Sequence, residues 1–195
     1  MNPPPETLSL RALIRKIPTQ DELNQAYDEI DRQKSDRAAA IIAAAYLEDS
    51  LRYLLTCKCV QLTKSEFNNL FDRGPLSSFD SMTKIGYAFG FYGSLFRDDL
   101  GIIREIRNGF AHAMVPLSFE TPEVVIKVET LKVIKWNAEH GSPAFGERLG
   151  VNNVHRNAYA NTCRYLTNEL FMVSLRGNKT PTAMLGSSAD SGNAP

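Results

Sequence analysis

Between Asp98 and Met114 the chain reads DDLGIIREIRNGFAHAM, and apolar Ile102, Ile103, Ile106 and Phe110 recur at helical spacing. That periodicity predicts an amphipathic helix, which Pro116 ends. The same reading extends to both sides. Leu23, Tyr27 and Ile30 share one face of a helix that Thr19 or Asp21 would cap. Ser35 or Asp36 would cap a long helix running to Val60, rich in alanine and leucine, with Ile41, Ala45, Leu51, Leu54 and Leu55 as its core stripe. Its alanines predict close approach of another helix, from this subunit or a neighbour. Glu48 and Arg52 stand four residues apart, the spacing of a helix-surface ion pair.

Further along, Thr63 would cap a shorter helix to Phe71, Asp72–Pro75 is a turn signal, and Ser77 or Ser78 would cap the segment FDSMTKIGYAFGFYG. Thr121-Pro122-Glu123 reads as cap and first turn of a helix reaching Trp136. Its β-branched Val124, Val125, Val128, Val133 and Ile134 leave a strand as the alternative for part of it. Asn137–Asn153 is rich in turn formers. A last helix spans Val154–Leu175, with Ala158, Leu166, Leu170 and Val173 as core. The expected fold is therefore all-α, a single-domain bundle of six to eight helices. Residues 1–18 form a lead with a short helix, Thr7–Lys16. Residues 19–176 form the helical domain, and residues 177–195 a disordered tail.

Composition narrows the function classes. The 195 residues suit one domain, and 22 Lys and Arg balance 22 Asp and Glu to a net charge of +0. A nucleic-acid binder working by bulk charge would be more basic. There is no helix-turn-helix signature either, so direct DNA binding is not expected. No apolar run approaches the roughly 20 residues that span a bilayer, and the N-terminus lacks the charged and apolar regions of a signal peptide. The expectation is a cytoplasmic protein without membrane contact. Cys57, Cys59 and Cys163 are odd in number and lack paired spacing, so free thiols are expected. Three scattered histidines make no zinc pattern, and neither a metal nor a cofactor is expected. Gly86, Gly90 and Gly93 do not fit the phosphate-loop pattern, which leaves close packing or a helix end as their role.

The residues that could do chemistry are Arg107, Asn108 and His112. At about 100° per residue, Arg104, Asn108 and His112 share a polar stripe, whereas Arg107 lies about 140° round from His112. Convergence of Arg107 and His112 on one small group would need a kink near Gly109 or a residue from a second chain.

Arg107-Asn108-x-x-Ala111-His112, preceded by Asp98-Asp99-Leu100, follows two earlier elements: Leu47-Glu48-Asp49-x-Leu51-Arg52-x-Leu54-Leu55 and Gly74-Pro75-Leu76-x-Ser78-Phe79. Over roughly residues 20–175 this combination resembles the mannitol operon repressor (MltR) family, related to the HEPN (higher eukaryote and prokaryote nucleotide-binding) superfamily. The resemblance implies a helical bundle, a homodimer, and one of two roles. The first is a regulator of a sugar-alcohol operon acting mainly through protein partners. The alternative is a metal-independent endoribonuclease with an Arg-x4-His motif. In the second role His112 would move a proton of the ribose hydroxyl or leaving oxygen, Arg107 would hold the phosphate, and Asn108 would orient the imidazole. RNA would then be the substrate. The position two after the histidine, a tyrosine in several HEPN toxins, is Met114.

Overall fold

The structure, a computed structural model, describes residues 18–133, 135 and 153–175. It contains α1 (Gln20–Arg32), α2 (Asp36–Lys58), α3 (Lys64–Phe67), α4 (Phe79–Ala88), α5 (Ser94–His112), α6 (Pro122–Glu129) and α7 (Val154–Leu175). A π-helical turn, Asn68–Asp72, continues α3. There is no strand among the described residues. Among the described residues these helices make the all-α bundle that the periodicity predicts. The expected Thr7–Lys16 helix, most of the Asn137–Asn153 loop and the tail from Arg176 lie outside the described residues.

Local chemistry sets the helix starts. The Thr19 hydroxyl accepts from Glu22 N while Glu22 Oε2 accepts from Thr19 N at 2.8 Å, a reciprocal capping box. Thr63 and Glu66 repeat it at α3. Ser35 rather than Asp36 caps α2, and Ser78 rather than Ser77 caps α4. Helix α6 is shorter than expected. It closes at Glu129, with the Thr130 hydroxyl donating to Lys127 O at 2.6 Å, instead of reaching Trp136. The reason lies in α5: the carboxylate of Asp99 takes the backbone N–H groups of Lys132 and Val133, which an uninterrupted helix would have used internally.

The core is built around α2 and α7. Tyr159 at the start of α7 donates to Ala40 O at 3.0 Å, and Phe171 near its end stacks on Tyr53 at 5.5 Å, so the two helices run side by side in the same direction. Ala39, Ala40, Ala43 and Ala44 are buried and keep this seam narrow. The close neighbour foreseen from the alanines is thus α7 of the same chain. The stripe itself is displaced: Ala45 is exposed and Ile41 half-buried, while Ala43, Ala44 and Leu47 join Leu51, Leu54 and Leu55 inside. Alanine occurs on every side of α2, so spacing alone does not select its inner face. Each fully buried Leu, Ile or Phe contributes about 1.5–3 kcal/mol.

Three termini meet at one buried arginine. Arg156 donates to Ile30 O at 3.0 Å, to Gln33 O, and to Asp36 Oδ1 at 3.2 Å, joining the end of α1 and the starts of α2 and α7. Asp36 Oδ2 in turn accepts from Phe119 N at 2.9 Å, which fixes the connector after α5.

Candidate functional site

Helix α5 carries the candidate residues. Gly93 begins it without a side-chain cap, and Phe96, Asp99, Leu100, Ile103, Ile106 and Phe110 form its buried face. The helix continues through Gly109 and ends at His112, where Ala113 N still donates to Gly109 O at 3.0 Å. Past the end, Arg37 from α2 donates to Ala113 O at 2.8 Å and to Val115 O at 3.4 Å. These bonds supply donors to carbonyls at and beyond a helix end, where no backbone N–H is available, and they hold the connector against α2.

The three residues are not brought to one point. Arg107 turns toward α2 and pairs with Glu48, Nη2 to Oε2 at 2.9 Å, with the side chains 26% and 23% exposed. Asn108 and His112 face solvent. Arg104, on their side of the helix, pairs with Asp80 of α4 at 2.6 Å. Glu48 is therefore a member of this site, and the expected Glu48–Arg52 pair is replaced. Arg52 donates to Phe71 O at 3.1 Å and lies 3.5 Å from Asp72 Oδ1. Partial burial raises the Glu48 carboxyl above the usual range, while Arg107 and then Arg52 pull it back and Asp49 adds to the rise.

Exposure changes abruptly along the end of α5. Phe110 is buried against Phe119 at 4.9 Å, yet Ala111 and His112 are exposed, Met114 fully so and Val115 at 62%. Nothing lies within 4 Å of a Cβ placed on Gly109. The result is a partly apolar ledge backed by Arg37 and Phe119.

The other candidates fall into structural places. Gly86 abuts Tyr92, Gly90 turns the chain at φ +68°, and Gly93 is the N-cap of α5. All three cysteines are free, Cys163 buried and Cys57 exposed. Among the described residues, no group of three or more His, Cys, Asp or Glu side chains could hold a metal ion, and no helix is long and apolar enough to cross a membrane. Sequence reasoning passed over Asp99, which is fully buried. Its signal was present, since Asp99 stands three residues after Phe96 and four before Ile103, on the apolar stripe itself.

No protein-family model matches the chain, and no curated protein matches it in sequence. In three dimensions it is similar to a chain in the X-ray structure of the MtlR–HPr complex from Escherichia coli, with a TM-score of 0.57 and 16% identity. The match covers 80% of this chain and 100% of that one. What the two share is the fold. At this identity the likeness speaks for the helical arrangement and not for individual residues.

Proposed function

We propose that this protein is a regulator of the MtlR kind, controlling a sugar-alcohol operon by binding a protein partner on the exposed end of α5. The observation that carries the reading is the contrast within α5. Arg107 is neutralised by Glu48, whereas Ala111, His112, Met114 and Val115 stand open on a braced ledge. A half-buried arginine already paired with a carboxylate has its charge largely offset and is a weaker phosphate anchor than a free one. An exposed methionine beside backbone tied to α2 by Arg37 suits a protein contact. The fold likeness to a chain of the MtlR–HPr complex supports the choice of an HPr-type protein as the partner.

Calorimetric titration of the full chain with HPr tests this. Binding is expected, weakened at least tenfold by Met114→Glu, with unchanged far-ultraviolet circular dichroism in the variant. Absence of any binding would overturn the reading.

The second reading, a metal-independent endoribonuclease, draws on the solvent exposure of Asn108 and His112. It predicts RNA cleavage in EDTA that disappears in His112→Ala and in Arg107→Ala. Such cleavage would replace the regulatory reading, with a second copy supplying the groups that Arg107 does not reach.

A further inference from the structure

We infer that Arg37 is the positioning residue of the partner-binding surface: from the first turn of α2 it fixes the loop after α5 in its binding-ready shape before any partner arrives. The inference rests on the reading that this end of α5 meets the partner. The geometry is specific. Arg37 Nη2 donates to Ala113 O at 2.8 Å and to Val115 O at 3.4 Å, so the carbonyls on both sides of Met114 turn toward one guanidinium. Met114 between them is fully exposed. Among the described residues, Arg37 gives the carbonyls from Ala113 to Leu117 their only hydrogen bonds.

The neighbouring residue secures the far end. Asp36 Oδ2 accepts from Phe119 N at 2.9 Å, while Asp36 Oδ1 is paired with Arg156 at 3.2 Å. Phe119 itself is fully buried, with Phe110 at 4.9 Å and Tyr159 at 5.3 Å from its ring. Two adjacent side chains of α2 therefore grip both ends of a loop whose middle, Met114, Val115 and Pro116, is exposed. The two grips differ in kind. The Phe119 end is also held by core packing, whereas no side chain from Ala113 to Leu117 is buried. Pro116 narrows its own backbone and that of Val115, but it does nothing for Ala113 and Met114. Removing Arg37 should therefore loosen this end of the loop and leave the bundle intact.

A loop already in shape binds without first being ordered. When the competent shape is populated only part of the time, affinity falls by that fraction, and the loss lies in association. Removing a direct contact instead speeds dissociation. Arg37→Met and Met114→Glu should thus differ in the rate they change. With the loop in shape about a tenth of the time, Arg37→Met binds about tenfold more weakly. Salt separates this loss from charge steering, which is screened.

Nitrogen relaxation of the loop amides and binding kinetics with HPr, both on the full chain, test this. In Arg37→Met the Met114 and Val115 amides are expected to become mobile on the nanosecond scale, while core amides of α2 do not change. Association with HPr should slow about tenfold relative to the wild type, at about 0.1 M and about 1 M salt alike, with dissociation unchanged. Equal loop order in wild type and variant would overturn the inference, as would a loss carried by faster dissociation or one that vanishes in high salt. Should the wild type not bind HPr, the functional reading falls and loop order alone decides the inference. Should Arg37→Met fail to fold, Arg37→Lys, which keeps the charge and loses the fork, is measured in the same way.

Discussion

Replacing Arg156 by methionine removes the clamp that joins three helix ends, and its cost can be worked from the contacts. The arginine side chain is 9% exposed and its partner Asp36 19%, so solvent screens the pair little. Breaking a buried pair by deleting one member costs about 3–5 kcal/mol, because the other charge is left without its partner. Here the Ile30 and Gln33 carbonyls lose a charged donor too. Asp36 keeps the Phe119 N–H, which argues for the lower half of that range. A loss of about 3–4 kcal/mol is a large share of the roughly 5–15 kcal/mol that stabilises a domain. At about 2–4 °C per kcal/mol for this chain length, the melting temperature should fall by about 10 °C. Urea denaturation followed by circular dichroism measures the loss. Asp36→Asn and the double variant complete a cycle in which the pair should show at least about 1 kcal/mol of coupling. A loss below about 1 kcal/mol in Arg156→Met, or strict additivity in the cycle, would refute the reasoning.

Two other perturbations separate structural roles that look alike in the sequence. Gly109→Ala enters open space on a helix and should gain about 1 kcal/mol, whereas Gly86→Ala puts a methyl 2.5 Å from the Tyr92 hydroxyl. Tyr92 is buried and donates to Thr83 O at 2.8 Å, so Gly86→Ala should lose about 1–3 kcal/mol. Scanning calorimetry that moves both glycine variants the same way would contradict this. Among the thiols, exposed Cys57 should react with a disulfide reagent in the native protein, and Cys163 only at the rate of unfolding. A fast phase that survives Cys57→Ser and vanishes in Cys163→Ala would reverse that assignment.

Much of the fold was legible because it is written locally. Thr63 caps its helix as expected, Thr19 does so where Asp21 was the alternative, and the Val154–Leu175 helix has the bounds its periodicity suggests. What was hidden depends on residues far apart in the chain. Glu48 finds Arg107, 59 positions away, in preference to Arg52 one turn along. Asp99 takes the N–H of Lys132, 33 positions downstream, just past the end of α6. In both cases a charged side chain is drawn inward by a partner that no local pattern announces. At the site, the sequence located α5 and its exposed Asn108 and His112, but it could not show that Arg107 is already engaged.

The side-by-side course of α2 and α7 bears on how the protein is made. Residues that form α7 leave the ribosome more than a hundred positions after α2 begins. At about 5–20 residues per second, the alanine-lined face of α2 waits on the order of ten seconds for its cover. During that interval a nascent chain offers an apolar helix surface to chaperones or to other chains. A message truncated before Val154 would leave it uncovered for good. Premature termination between α6 and α7 should therefore be as damaging to the accumulated level of this protein as a break near its beginning.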